Sequence, residues 1–123
     1  MSNPLFRAKP ISGGKLVQGQ IHTYGNSVYI TQTQLMNNNG YDWRVPAIEI
    51  DPETISQFTG YFDKYQISIF EGDILNYYDH NADMRMEYPV KKLKDGSFKV
   101  DSIAVCEICS TSRIVGNIYE SHT

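Results

Sequence analysis

Residues 15–33 read KLVQGQIHTYGNSVYITQT, and this stretch decides the class of fold. Apolar or small residues recur at every second position from Val17 onward, which is the pattern of a half-buried β-strand. The alternation resumes after the dipeptide Gly25-Asn26. Because glycine accepts the positive φ of a primed two-residue turn, the stretch predicts a β-hairpin.

The composition extends this prediction to the whole chain. The 123 residues include nine Tyr and five Phe, and 41% are hydrophobic. Aromatic side chains suit the surface of a sheet, so we expect one compact, mainly β unit. No segment approaches the roughly 20 apolar residues of a membrane span, and the first residues lack a signal peptide pattern. We therefore expect a cytoplasmic protein without membrane contact.

One short helix is predicted within DPETISQFTG, residues 51–60. Asp51 suits the N-cap, Pro52 the first helical position, and Gly60 the position after the helix. Ile55 and Phe58, three residues apart, would lie on one face of a helix of one to two turns. The carboxylates of this stretch then have structural roles.

Two further turns are indicated by glycines. In QISIFEGDILNYY, residues 66–78, Gly72 is expected at a tight turn or bulge, with Glu71 and Asp73 at its rim. In KKLKDGSFKV, residues 91–100, the dipeptide Asp95-Gly96 predicts a second hairpin.

Cys106 and Cys109 form a lone C-x-x-C motif. A structural zinc site needs four ligands, and the second pair is absent from the sequence. In a strand, residues three apart lie about 10 Å from each other and point to opposite faces, beyond disulfide reach. In a helical turn the two thiols would be adjacent, which leaves a metal or redox role open. We predict two small free thiols and no metal.

Other chemical motifs are incomplete. Asp79, Asn81 and Asp83 resemble the opening of a calcium loop, but Met84 and Val90 stand where Gly and Glu are needed. The sequence contains no G-x-S-x-G motif and no phosphate-binding loop, and its three histidines are isolated. We predict no catalytic residue, no metal ligand and no cofactor, and hence a protein that is not an enzyme.

The charges are segregated along the chain. Residues 1–40 contain three basic residues and no acid, whereas residues 41–83 contain nine acids and two basic residues. Such segregation suits head-to-tail contacts between copies of the chain, or simply faces of different charge in solvent.

A nucleic-acid contact is the alternative use of charge. Four lysines lie close to two aromatic residues, Tyr88 and Phe98, as in a strip that binds single strands; they are Lys91, Lys92, Lys94 and Lys99. Lysines on an edge hairpin also discourage aggregation. Because acids interleave with them and the net charge is -3, nucleic-acid binding by residues 85–99 is the second hypothesis.

Several segments, in this order, resemble the YopX family of phage and prophage proteins. They are FRA (6–8), GKLVQGQIHTYGN (14–26), IDPETISQFTG (50–60), DK (63–64), IFEGDIL (69–75), DGSF (95–98) and VGNIYE (115–120). Two departures from the family pattern are Lys9-Pro10, where W-D is usual, and residues 65–67, where N-G-K is usual.

We expect a β-hairpin-rich N-terminal subdomain at residues 1–50 and a second part at residues 51–123, together forming one compact unit. The resemblance implies a β-rich fold whose C-terminal part looks like an SH3-type barrel. It implies no reaction and brings no catalytic residues. We expect a protein-interaction module of a bacterial host's cytoplasm that self-associates and contacts a phage or host protein.

Overall fold

The computed structural model describes residues 5–32 and 47–120. They form two compact units, Met1–Gln57 and Phe58–Thr123. Strands predominate, and all their pairings are antiparallel, which confirms the predicted mainly β class. Within those ranges no helix has the length and apolar character needed to cross a membrane.

The first unit is an antiparallel sheet with the strand order β4-β3-β2-β1-β5. Its strands are β1 (Phe6–Ala8), β2 (Val17–Tyr24), β3 (Ser27–Gln32), β4 (Ile48–Glu49) and the first residues of β5 (Ser56–Phe62). The predicted hairpin at residues 15–33 is confirmed, since Tyr24 pairs with Ser27 and Gly25 has a φ of 62°. Ala8, Ile30 and Ile50 form the buried core of this unit.

The predicted start of the helix at residue 51 is confirmed. Asp51 is the N-cap, and its carboxylate accepts a hydrogen bond from the amide of Glu53 at 3.0 Å. The hydroxyl of Thr54 donates to the carbonyl of Asp51 at 2.7 Å and accepts from the amide of Lys9 at 2.8 Å. Capping and tertiary contact therefore hold this turn together.

The predicted end of the helix is wrong. The helix is a single 3-10 turn, Pro52–Thr54, and β5 begins at Ser56. Pairing with β1, where Gln57 lies opposite Phe6, overrides the helical spacing. Gly60, expected after the helix, has a φ of 88° and lies where the register of β5 shifts.

The second unit contains the rest of β5, paired with β6, and a five-stranded sheet of order β10-β9-β8-β7-β11. The strands are β6 (Ser68–Phe70), β7 (Asp73–Asp79), β8 (Met84–Lys92), β9 (Phe98–Val100), β10 (Ile103–Ala104) and β11 (Arg113–Asn117). The helix α1 (Val105–Ile108) and a 3-10 turn (Cys109–Thr111) precede β11. The SH3-type barrel expected for this part of the chain stays a prediction.

Alternation along the strands builds the core of this unit. Leu75 and Tyr77 of β7 are fully buried, while their neighbours Ile74, Asn76 and Tyr78 are half-buried. The remaining buried members come from β6, β8, β9 and α1; they are Ile69, Val90, Val100, Val105 and Ile108. The core thus draws one or two side chains from most elements of the unit.

Gly72 occupies the predicted tight turn, between β6 and β7. Its φ is 89°, its amide donates to the carbonyl of Val90 at 2.9 Å, and its carbonyl accepts from the amide of Ile118 at 3.0 Å. A Cβ atom at this position would lie 3.2 Å from Cγ1 of Ile118 and 3.3 Å from Cε2 of Tyr119. Both the conformation and the space favour glycine.

Asp73 does not lie at the rim of this turn, as the sequence suggested. It is 1% exposed, and its carboxylate accepts hydrogen bonds from the amide of Phe70 at 2.8 Å and from Nδ2 of Asn117 at 3.0 Å. The buried carboxylate stabilises the turn, because it supplies the acceptors that buried N–H groups need. Glu71 stays partly exposed.

Candidate interaction surface

Four large apolar side chains are exposed on the β5–β6 hairpin, at residues 61–67, here called the aromatic turn. Tyr61 is 40% exposed, Phe62 44%, Tyr65 62% and Ile67 54%. Single exposed apolar residues are ordinary on protein surfaces. Four of them within seven consecutive residues make this hairpin a candidate contact site.

The backbone of the aromatic turn has a defined geometry. The amide of Gln66 donates to the carbonyl of Asp63, and the amide of Asp63 donates to the carbonyl of Ile67, both at 2.9 Å. These two bonds define a three-residue loop, residues 64–66, whose last residue adopts the left-handed conformation. That residue is Gln66, with a φ of 65°.

The buried side chain of Asp63 fixes the conformation of the aromatic turn. It is 1% exposed, and its Oδ1 accepts from the amides of Tyr65 at 2.8 Å and Ile67 at 3.0 Å. Its Oδ2 accepts from the amide of Ile114, in β11, at 3.2 Å. The amide of Lys64 adds a bond to the carbonyl of Ser112 at 2.9 Å. The turn is therefore anchored to the segment that leads into β11.

Aromatic contacts support the surface. The ring of Phe58 lies 5.6 Å from that of Phe62 and 5.5 Å from that of Phe70, between ring centroids. Nζ of Lys64 lies 5.2 Å from the centroid of the Tyr65 ring, within cation–π range. Phe62 thus packs on the half-buried ring of Phe58, which in turn packs on the buried ring of Phe70. Tyr65 and Ile67 have the larger exposed fractions.

This surface was not predicted from the sequence, because the carboxylates of the region were counted as solvent-exposed charges. Asp63 and Asp73 are among the nine acids of residues 41–83, yet both are buried and hydrogen-bonded. The available signal was an Asp directly before a short polar loop between two aromatic-rich runs, since Asp caps such turns through its side chain.

The four lysines of the nucleic-acid hypothesis do not all lie on one face of the hairpin. Lys91 lies directly opposite Lys99, Lys92 lies opposite Phe98, and Lys94 lies in the loop of the hairpin. Because side chains alternate between faces, Lys91 and Lys99 share one face and Lys92 lies on the other. The structure therefore brings together two of the four lysines.

The loop of this hairpin carries a carboxylate. Asp95 accepts hydrogen bonds from the hydroxyl of Ser97 at 2.6 Å and from its amide at 2.9 Å. These bonds lower the pKa of Asp95, since they favour its charged form. An ionised carboxylate beside Lys94 opposes the approach of a phosphate group to this loop.

Cys106 and Cys109 lie in a helical segment and not in a strand, which decides between the two geometries that the sequence left open. Cys106 belongs to α1 and is exposed, and Cys109 begins the following 3-10 turn and is half-buried. The two are free thiols, and Sγ of Cys109 lies 3.9 Å from the carbonyl oxygen of Cys106. The buried residues Val105 and Ile108 explain the helical spacing.

The residues that resemble the opening of a calcium loop form hydrogen bonds within the β7–β8 turn and with the adjacent Tyr78. Oδ1 of Asp79 accepts from the amides of Asn81 at 2.9 Å and Ala82 at 3.3 Å, and Asp83 accepts from the hydroxyl of Tyr78. Across residues 5–32 and 47–120, no group of three His, Cys, Asp or Glu side chains is placed to hold a metal ion.

The histidines have individual contacts. His22 forms a hydrogen bond with the hydroxyl of Thr31 at 2.8 Å, and His80 packs edge-on against the ring of Tyr78. His122 lies outside the described residues. His22 belongs to the first unit and His80 to the second.

Comparison with protein families gives a match over nearly the whole chain. The family model described as YopX protein matches residues 5–122. No curated protein matches the chain with significant similarity. Because the family model covers nearly all of the sequence, the chain belongs to the YopX protein family.

Proposed function

We propose that this protein is a non-enzymatic interaction module, and that it self-associates through the aromatic turn. The observation that carries the proposal is the combination of four exposed apolar side chains with a backbone fixed by the buried carboxylate of Asp63. Aromatic residues are enriched in the centres of protein interfaces, where they lose much surface to the partner.

Rigidity strengthens this proposal. Binding through a mobile loop loses affinity because the loop must be ordered, whereas a turn that is already held in one conformation avoids most of that loss. The turn also contains a residue of positive φ that is not glycine, Gln66. Strained backbone of this kind is found more often at functional sites than elsewhere.

A second copy of the chain is the occupant that the charges favour. The exposed acids of residues 41–83 include Asp51, Glu53 and Asp83. The charged residues among the first 40 are all basic, and one of them, Lys15, is exposed. The basic residues 1–40 of one copy can therefore attract the acidic residues 41–83 of its neighbour, in addition to apolar contact at the aromatic turn. A phage or host protein in the bacterial cytoplasm is the other partner of the proposal.

Light scattering at increasing protein concentration tests self-association, at low and at high salt. We expect an oligomer whose dissociation constant rises with salt, because the screening length falls from about 10 Å at 0.1 M to about 3 Å at 1 M ionic strength. A strict monomer at high micromolar concentration in both buffers would contradict the proposal.

One observation favours nucleic-acid binding as the second candidate. Lys91 and Lys99 lie directly opposite each other on adjacent strands, an arrangement of like charges that is unfavourable by itself. An anion between them would relieve the repulsion. The variant Lys91→Gln/Lys99→Gln, with Lys15→Gln as control, tests this in gel shifts with single- and double-stranded DNA. Submicromolar, salt-sensitive binding that only the double variant loses would make this candidate the better one.

A further inference from the structure

We propose that Cys106 and Cys109 form a dithiol site that closes reversibly to an intramolecular disulfide. Its substrates are low-molecular-weight disulfides such as oxidised glutathione. The site lies in the second unit, and the inference does not depend on self-association. Three features carry it: the helical geometry, the difference in exposure between the two thiols, and the buried residues that hold the segment.

The helical geometry places the cysteines within disulfide reach. For residues three apart in an α-helix, the rise and radius of the helix give a Cα–Cα separation of about 5 Å. This lies inside the range of roughly 4.4–6.8 Å found for disulfides. Sγ of Cys109 already points back along the turn, 3.9 Å from the carbonyl oxygen of Cys106. Closure therefore requires rotation of side chains and little movement of backbone.

The exposure of the two thiols differs, which assigns a role to each. Cys106 is exposed, so a disulfide in solution can reach its sulfur. Cys109 is half-buried and packs against the core that includes Val105 and Ile108. Cys106 is thus the attacking residue, and Cys109 the residue that resolves the mixed disulfide.

The backbone of Cys109 is fixed. Ser112 donates two hydrogen bonds to its carbonyl, from the amide at 3.2 Å and from the hydroxyl at 2.9 Å. Val105 is fully buried and Ile108 is 8% exposed, so both anchor the segment on the core side. The resolving thiol is therefore held close to the attacking one, which favours ring closure over capture of a second molecule.

The reaction balances as two thiol–disulfide exchanges. The Cys106 thiol loses its proton, and its sulfur attacks one sulfur of oxidised glutathione, which releases one glutathione thiolate and leaves glutathione bonded to Cys106. The sulfur of Cys109, also deprotonated, then attacks Sγ of Cys106 and releases the second glutathione. The protein loses two electrons and two protons: oxidised glutathione accepts the two electrons as its S–S bond breaks, and the two glutathione thiolates that are released take up the two protons.

Thiol counting by alkylation and mass spectrometry tests the proposal in buffers of defined reduced and oxidised glutathione. In the intact protein we expect both thiols to disappear together, with the loss of two hydrogen atoms, no added glutathione and no covalent dimer. Dithiothreitol should restore both thiols. Cys109→Ser should retain one glutathione on Cys106. Cys106→Ser should react about tenfold more slowly than Cys109→Ser, because the one thiol it retains, that of Cys109, is half-buried.

Three results would overturn the inference. The first is a stable mixed disulfide in the intact protein, and the second is a disulfide between chains. The third is two free thiols that persist when oxidised glutathione is in large excess. The first two would show that Cys109 does not resolve the bond formed at Cys106, and the third would show that Cys106 does not attack the disulfide.

Discussion

Gln66 and Gly96 occupy the same position in two hairpin turns of the second unit. Each is the last residue of a three-residue loop: the amide of Gln66 donates to Asp63, and the amide of Gly96 donates to Leu93, both at 2.9 Å. Their φ angles are 65° and 90°. Glycine adopts this conformation freely, whereas glutamine does so with strain, and the strained turn is the one that displays the aromatic surface.

Replacing Gln66 by glycine should stabilise the protein. Release of the left-handed strain outweighs the extra entropy of glycine in the unfolded chain, so we expect the free energy of unfolding to rise by about 0.5–1 kcal/mol. Urea unfolding measures the change. Gly96→Gln is the matched control and should lower stability by a similar amount. Equal stability of Gln66→Gly and the parent would show that the strain at Gln66 is already compensated.

Asp63→Asn tests the anchor of the aromatic turn. An amide has one acceptor oxygen where the carboxylate has two, and the three backbone amides on Asp63 cannot all keep their bonds. We expect a loss of about 1–3 kcal/mol, because at least one partly buried amide is left without an acceptor. Hydrogen exchange at Tyr65, Ile67 and Ile114 should accelerate. Unchanged exchange at all three would contradict the assigned role.

Gly72→Val should lower stability by about 1 kcal/mol or more, since its φ of 89° disfavours any side chain and the added atoms meet Ile118 and Tyr119. Thermal unfolding provides the measurement. Gly25→Val is a useful comparison, because the φ there is also positive but nothing lies within 4 Å of the added Cβ. The change at Gly72 should be the larger of the two.

Tyr77 gives a prediction about pH. Among the described residues its buried hydroxyl has no hydrogen-bond partner, and burial raises its pKa above the ordinary value of 10.0, with smaller contributions from Asp101, Asp79 and Tyr88. The protonated form is thus favoured in the folded state. As the pH rises above about 10, the unfolded chain loses this proton while the folded chain keeps it, so stability falls.

The variant Tyr77→Phe isolates that effect. At neutral pH it should match the parent or gain about 1 kcal/mol, because an unpaired buried hydroxyl is removed. Above pH 10 its stability should fall less steeply than that of the parent. A loss of more than about 1 kcal/mol at pH 7 would indicate that the hydroxyl makes a favourable hydrogen bond.

Features fixed by a few neighbouring residues could be predicted from the sequence. The β2–β3 hairpin follows from alternation and from Gly25, and the turn at Gly72 and the cap at Asp51 follow from local backbone needs. The start of β5 could not be predicted in this way, because it depends on pairing with Phe6 and Arg7 of a distant strand.

The candidate surface shows the same limit. The sequence shows that the segment is rich in aromatic residues. It does not show the anchor that fixes them, because the carboxylate of Asp63 bonds to the amide of Ile114, 51 residues away. The helical placement of Cys106 and Cys109 was left open by the sequence, because a short segment with Val105 and Ile108 suits a strand or a helix. Tertiary packing decided between them.

Sedimentation equilibrium of surface variants tests the central claim most directly. The variant Tyr65→Ser/Ile67→Ser removes the two most exposed side chains of the aromatic turn, and the control Tyr24→Ser/Ile11→Ser removes the same residue types, 81% and 60% exposed, from the first unit. We predict that the turn variant weakens self-association at least about tenfold, or 1.4 kcal/mol, while the control matches the parent. Unchanged association of the turn variant, in a folded protein that still self-associates, would contradict the claim that the aromatic turn is the interface.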